Sequence, residues 1–368
     1  MATDTISFAR GAPSADILPH EAVREAASRA LESDWERALS YGTGRGHLGL
    51  CEWIADLHGV EPDRVMVTNG SMEGAALLFR HYVGSGDRVL VEQPTYDRTL
   101  LLLNQAGAEI APAALESDGV EVAAVESAAQ AGPLKLAHII PNFHNPAGCT
   151  LAAEKRERLV ALADEHGFLL FEDDPYRLIS FEGPAGTTML DMDAAGRVIH
   201  ASSFSKTVSP GVRVGYLVGA PDEIAALAKR AGQNYISPNM LAESIVWELC
   251  RSGELDRNIE AVNTALRGRR DALVAALEEK IPEARFVVPA GGYFLWLDLN
   301  DDVDAAALLD AAKEEGVTFV AGPDFMIDGG ESSIRLSFAP VPADRVPEGV
   351  QRIATALEKL RARTGSAA

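Results

Sequence analysis

The chain has 368 residues, 47% hydrophobic and 24% charged, a composition that fits a globular enzyme of two domains or one enlarged α/β unit. Its 33 Lys and Arg against 54 Asp and Glu leave a formal charge of −21, which argues against non-specific binding to nucleic acid or to anionic membranes. No apolar run reaches the ~18 residues of a membrane span. The start, Met1 to Ser7, lacks the layout of a secretion signal, and Cys51, Cys149 and Cys250 are spaced for neither a zinc site nor a disulfide framework. A cytoplasmic enzyme is expected.

Residues 1–50 predict a helix at Glu21 to Glu32 and no strand, a segment expected to pack on a second, smaller domain. From 51 to about 275, β-rich runs alternate with helical patterns. Arg64 to Thr68 precedes a helix from Glu73 to Tyr82, and Arg88 to Glu92 precedes one near Tyr96 to Gln105. Leu136 to Ile140 leads through a loop to an amphipathic helix at Ala152 to His166, and Phe168 to Glu172, Val198 to Ser202 and Val214 to Val218 follow as strands. Apolar strands spaced by helices predict a mostly parallel sheet covered on both faces. Met240 to Lys280 is helical apart from a break at Ser252-Gly253. From about 276 to 368, strands at Arg285 to Val288, Gly292 to Leu299, Thr318 to Val320 and Ser333 to Phe338 predict a small α+β domain, ending in a polar tail, Arg361 to Ala368, expected to fray.

Ligands of open α/β sheets gather beyond the carboxyl ends of the strands. After the first strand, Thr68-Asn69-Gly70-Ser71-Met72-Glu73 opens a helix with small, hydroxyl-bearing residues. Its free N–H groups suit a phosphate, although a plain helix cap reads the same. Glu92-Gln93-Pro94-Thr95-Tyr96 offers an aromatic that stacks on a ring or simply packs. Pro141 to Gly148 demands a shaped turn in which Asn145, beside Pro146, can donate to a ring oxygen. Asp173-Asp174-Pro175-Tyr176 ends a buried strand in acid, which is costly without a cation or proton partner. A pyridinium nitrogen would serve Asp173, with Tyr176 near the ring hydroxyl; an Asp-Pro turn is the alternative. Lys206, among the hydroxyls of Ser202 to Ser209, suits a Schiff base with an aldehyde cofactor such as pyridoxal phosphate, and Arg213 suits its phosphate. Arg335, inside the apolar strand Ser333 to Phe338, carries a fork that matches a substrate α-carboxylate or a structural ion pair.

In order and texture these parts resemble the fold-type I pyridoxal-phosphate aminotransferases of class I/II. The nearest branch holds the 2-aminoadipate aminotransferases and the aminotransferase-like domains of MocR regulators. The resemblance runs from Phe8-Ala9-Arg10-Gly11-Ala12-Pro13 to Arg335. Its most specific parts are Asn145-Pro146-x-Gly148, Asp173-x-x-Tyr176, Ser203-Phe204-Ser205-Lys206, Pro210-Gly211-x-Arg213-x-Gly215 and Ile334-Arg335-Leu336. It implies Lys206 as the Schiff-base lysine and proton shuttle, Asp173 as partner of the pyridine nitrogen, and Asn145 and Tyr176 as ligands of the ring oxygen. It further implies Tyr96 stacked on the ring and a phosphate cup of Gly70, Ser71, the backbone of Met72, Ser203, Ser205 and Arg213. Arg335 would clamp the α-carboxylate, with Gly11, Asn145 and Tyr41 on the substrate side. Tyr41, in the stretch Tyr41 to Gly46, matches a tyrosine that reaches the neighbouring subunit's phosphate, which implies a homodimer with shared sites. Two departures stand out: Cys51 where the family often has Arg, and His144 where it often has Gln.

The expected reaction is transfer of an α-amino group from an amino acid to a 2-oxo acid such as 2-oxoglutarate. The alternative is another pyridoxal-phosphate reaction, namely β-elimination, racemisation or oxidation. A ligand-sensing regulator domain is opposed by the −21 charge and by a lead-in that begins by Phe8. The side-chain pocket is expected from Arg10 to Leu18, the Tyr41 to Gly46 loop and Tyr293, with Arg10, Arg24 or Arg45 available to a distal carboxylate or serving as surface charges.

Overall fold

A computed structural model describes residues 5–300 and 302–365. Val65–Thr68, Leu136–Ile139, Leu169–Asp173, Val198–Ser203 and Gly215–Val218 are buried at every residue, as strands covered on both faces must be. They belong to an eight-stranded sheet whose spatial order is Val65–Thr68, Gly215–Val218, Val198–Ser203, Leu169–Asp173, Leu136–Ile139, Arg88–Gln93, Glu109–Glu116, Gly119–Val120. Gly215–Val218 runs against both its neighbours and Gly119–Val120 against its own, while the other pairings are parallel. The ends at Thr68, Gln93, Ile139, Asp173 and Ser203 therefore share one edge of the sheet. Alternate residues feed opposite cores. Val89, Val91 and Phe171 pack with Leu78 and Phe79 on one face, and Leu90, Ala137 and Leu170 pack with Leu159 and Leu162 on the other.

The strand Glu109–Glu116 was not among the predicted elements. It contains Pro112, which a sheet tolerates near an edge. Here the outer neighbour pairs only with Leu115 and Glu116, so Pro112 owes no N–H on that side.

The small domain holds a three-stranded antiparallel sheet, Phe294–Asp298, Ser333–Ser337 and Val320–Ala321 in that order. Its core receives the helices Ala305–Glu314 and Val346–Gly365. The long helix Glu254–Lys280 passes between domains, with Leu255 in a large-domain core and Val262 and Leu266 in the small one. The expected strand at Arg285 to Val288 forms only one bridge, Arg285 with Asp298. Pro282 and Pro289 bracket it and lack the N–H groups that a longer ladder would need. The N-terminal segment does contain a strand: Ile6–Ser7 pairs parallel with Val317–Thr318, too short to show as a pattern. Ile6 and Phe8 join the small-domain core, whereas the helices His20–Ser33 and Leu48–His58 place Ala26, Leu50 and Ile54 in a large-domain core. The expected fraying tail is helical from Arg361 to Gly365, and residues 366–368 lie outside the described residues.

Candidate active site

At the shared edge the strand ends surround a cavity of about 140 Å³. Ser71 and Met72, at the start of the helix Ser71–Tyr82, line one end of it with Ser203, Ser205 and Arg213. Close approach there depends on two glycines. A Cβ on Gly70 would meet Arg213 Nη2 at 2.2 Å, and one on Gly215 would meet the Ser71 nitrogen at 2.3 Å. Gly70 also has φ of 89°, a conformation that favours glycine. Arg213 itself adopts φ of 51° after the turn Pro210–Val212 and donates to Ser205 Oγ and to the Asn69 carbonyl, both at 3.3 Å. Ser203 Oγ donates to Ser205 Oγ at 2.9 Å. A guanidinium, hydroxyls and helix N–H groups at one point make an anion cup.

Lys206 follows the strand Val198–Ser203 and donates from Nζ to the Gly11 carbonyl at 2.9 Å. Its Nζ lies 5.3 and 5.1 Å from the ring centres of Tyr176 and Tyr293. Burial, helped by Arg335 and Arg213, brings the amine down to about 8 against the opposing pull of Asp173. Such an amine is partly neutral, and so nucleophilic, near physiological pH. Asp173 is buried at the cavity wall, with His138 Nε2 3.3 Å from its Oδ2. Burial pushes the phenol of Tyr96 up to about 12 and that of Tyr176 well above its ordinary value, so both remain hydrogen-bond donors.

Arg335 is buried with its guanidinium between Phe294 and Phe325, 4.3 and 4.6 Å from their ring centres. It donates from Nη1 to Asn145 Oδ1 at 3.0 Å and from Nη2 to the Ala9 carbonyl at 2.8 Å. Its Nε is buried without a hydrogen-bond partner among the described residues. A buried cation with a spare N–H is a site for an anion.

The remaining expected residues divide. Gly11 lies in the site, where a Cβ would meet Phe294 Cζ at 2.7 Å. Tyr41 stands outside the cavity, 83% exposed. Tyr293 is wholly buried and its hydroxyl donates to the Lys206 carbonyl at 3.1 Å, so it supports the lysine loop. Of the three arginines that could meet a distal carboxylate, Arg24 is paired with Glu21 on the exposed face of its helix, and Arg45 donates to the carbonyls of Val65 and Pro62. Arg10 is exposed between Ala9 and Gly11, whose carbonyls hold Arg335 and Lys206.

The sequence model of the family Aminotransferase class I and II matches residues 3–353. The chain belongs to the class I and II aminotransferases. It is 33% identical to the 2-aminoadipate transaminase of Thermus thermophilus over 97% of its length and 91% of that protein. It is 31% identical to aromatic-amino-acid aminotransferase 1 of Thermococcus litoralis, covering 97% of the chain and 89% of the relative. The crystal structure of Pyrococcus horikoshii kynurenine aminotransferase, solved with PMP, superimposes with a TM-score of 0.92 at 32% identity, covering 97% of this chain and 91% of that one. The aminotransferase thus has the fold-type I architecture, catalyses amino-acid transamination and uses pyridoxal phosphate. The site suits that cofactor: an anion cup, a partly neutral lysine and a buried acid surround one cavity.

Sequence reasoning missed several residues that shape the transaminase site. His138, a polar residue inside the apolar strand Leu136–Ile139, was a visible signal; its Nε2 lies between Asp173 and Thr99 Oγ1, the latter 3.4 Å away. The run Glu172-Asp173-Asp174 divides its three acids. Burial pushes Glu172 up, but His200 at 2.9 Å and the N–H groups of Met189 and Leu190 outweigh it and hold the carboxyl low. Burial raises Asp174 to about 6 although Asn142 Nδ2 donates to it at 2.7 Å. Asn142 in turn accepts from Arg156 at 2.8 Å. Asp173 alone of the three lines the cavity.

Proposed function

We propose that this aminotransferase moves the amino group of a bulky amino acid to 2-oxoglutarate through the cavity built around Lys206. The carrying observation is that one cavity joins an amine brought down to about 8, a buried acid and an anion cup, beside a buried guanidinium with a spare N–H. Pyridoxal phosphate supplies an aldehyde that bonds amino groups and a ring that draws electrons from the substrate's α-carbon. Lys206 would hold the aldehyde and, once displaced by substrate, carry the α-proton. Asp173, steadied by His138, would keep a proton on the ring nitrogen. Asn145 and Tyr176 would donate to the ring oxygen, Tyr96 would stack on the ring, and Gly70, Ser71, Met72, Ser203, Ser205 and Arg213 would hold the phosphate. Arg335 would grip the α-carboxylate beside Gly11 and Asn145, which turns the α-hydrogen of the substrate toward the lysine.

The similar proteins named for aromatic amino acids, 2-aminoadipate and kynurenine, at 31% to 33% identity, support a bulky donor over the alanine:glyoxylate and aspartate aminotransferases at 27% and 26%. The same proposal includes a homodimer in which Tyr41 completes the partner's phosphate site; exposed Trp35, Leu39 and Tyr41 near one another in sequence support it. It includes the cytoplasm, for which the free thiols of Cys51, Cys149 and Cys250 speak. It also includes a division into a cofactor domain, residues 51–275, and a small domain, 276–368, supported by their separate cores. No described helix is long and apolar enough to cross a membrane.

The test is a panel of amino acids incubated with and without 2-oxoglutarate, scored for glutamate. Aromatic and aminoadipate-like donors should yield glutamate only when the oxo acid is present, and Lys206→Ala should yield none. Consumption of donor well beyond one equivalent of enzyme without the oxo acid, or an active alanine variant, would defeat the proposal.

A further inference from the structure

His144 precedes Asn145 in the turn that follows the strand Leu136–Ile139, and its side chain is wholly buried. The Ala147 N–H donates to its Nδ1 at 3.2 Å, and its Nε2 lies 3.0 Å from Glu92 Oε2. A nitrogen that accepts carries no hydrogen, so the one hydrogen of the neutral ring sits on Nε2 and points to Glu92. The same carboxylate oxygen accepts the N–H of Ile140 at 2.8 Å, and Ile140 lines the cavity. The backbone of His144 closes the turn as well: its N–H donates to the Cys149 carbonyl at 2.9 Å, and its carbonyl accepts from Gly148 at 2.7 Å.

Glu92 belongs to the strand Arg88–Gln93, which leads into the turn bearing Tyr96. One imidazole thus ties the turn that presents Asn145 to the strand end that presents Tyr96, two segments 52 residues apart. Glu92 Oε1 is buried with no partner among the described residues, so loss of the imidazole would leave the carboxylate held by the Ile140 N–H alone. Asn145 is also what Arg335 Nη1 donates to.

We propose that His144 is a positioning residue. Locked as the Nε2–H tautomer between Ala147 and Glu92, it fixes Asn145 where that side chain serves both Arg335 and the ring oxygen of pyridoxal phosphate. The inference rests on the role given to Asn145 in the proposed function. Glutamine can imitate the arrangement, with an amide N–H for Glu92 and an amide oxygen for the Ala147 N–H. Leucine fills much of the space and offers neither.

The experiment compares His144→Leu and His144→Gln with the wild type, each loaded with pyridoxal phosphate. A donor at the ring oxygen favours its ionised form, so the leucine variant should shift the pH midpoint of the cofactor's visible band upward by about one unit. Its KM for the amino donor should rise about tenfold, as Asn145 no longer steadies Arg335, with kcat changing less. Glutamine should recover most of both shifts. A leucine variant with the wild-type midpoint and KM, or a glutamine variant displaced as far as leucine, would overturn the assignment. Histidine-selective ¹⁵N NMR of the wild type without cofactor tests the lock independently of any variant's folding. A hydrogen on Nε2 and a bare Nδ1 are expected, and a ring protonated at Nδ1 would overturn the lock. Failure of the wild type to form the visible band would instead strike at the cofactor reading of the whole site, and the tautomer result would still be measured.

Discussion

The two ends of the site are built in different ways. At the phosphate end, Ser71, Ser203, Ser205 and Arg213 come from ends of neighbouring strands in one sheet, and the register of that sheet brings them together. At the carboxylate end, Arg335 of the small domain donates to Ala9, 326 residues away, and to Asn145 of the large domain. The first end is set by backbone pairing within a doubly covered core. The second depends on how separate segments meet. The sheet edge, with its phosphate end, should therefore govern cofactor and chemistry, and the carboxylate end should govern grip on the substrate.

The largest test of this division is Asp173→Ala. The rate of the half-reaction with amino acid should fall by roughly 10²–10⁴-fold, measured by stopped-flow loss of the cofactor's band, while cofactor retention changes far less. An unchanged rate would remove Asp173 from the chemistry of the sheet edge. Next comes Arg335→Ala, for which KM for the amino donor should rise by roughly 10–100-fold, with a smaller change in kcat and no loss of bound cofactor. If the cofactor were lost instead, the two ends would not be separable.

A smaller effect follows from the lysine. Only the neutral amine attacks an aldehyde, so the rate at which cofactor-free protein captures pyridoxal phosphate should climb about tenfold per pH unit and level off above about 8. A plateau reached two units higher would contradict the effect of burial on Lys206. The smallest test lies behind the phosphate end, where Glu243 accepts the His47 N–H at 2.6 Å. Burial, with Glu73 adding to it, pushes this carboxyl from 4.5 to about 8. The folded chain thus holds a proton that the unfolded chain releases. The stability this contributes is complete below about 4.5 and is lost as pH rises through about 8. Glu243→Gln should flatten that decline, by at most about 1.4 kcal/mol per pH unit, in melting curves taken across the window. Parallel curves for the two proteins would refute the raised value.

The same contrast explains what the sequence reveals. Lys206, Asp173, Asn145 and Arg213 are legible because each sits in a short motif beyond a strand, and strands in a parallel sheet point their ends one way. His138 belongs with them, since a histidine amid Leu136, Ala137 and Ile139 needs a reason. The partners of Arg45 are less visible, because a backbone carbonyl leaves no motif, whereas Arg24 has Glu21 at helical spacing three residues before it. The pairing of Ile6–Ser7 with Val317–Thr318 joins opposite ends of the chain through two residues on each side, too few for any periodicity. The tie between His144 and Glu92 likewise joins a turn to a strand end 52 residues away, and no local pattern announces it. The three adjoining acids at Glu172 to Asp174 look alike in sequence, yet strand alternation and local donors give each a different surrounding.

Arg335 lies between two rings, and those rings have different tethers. Phe294 is fixed in the same small sheet as the arginine, but Phe325 is held from the large domain, where the Thr95 N–H donates to its carbonyl at 2.9 Å. The fork that would receive a carboxylate is thus braced twice, by a plate set in its own sheet and by a plate whose backbone is bonded to the turn that bears Tyr96.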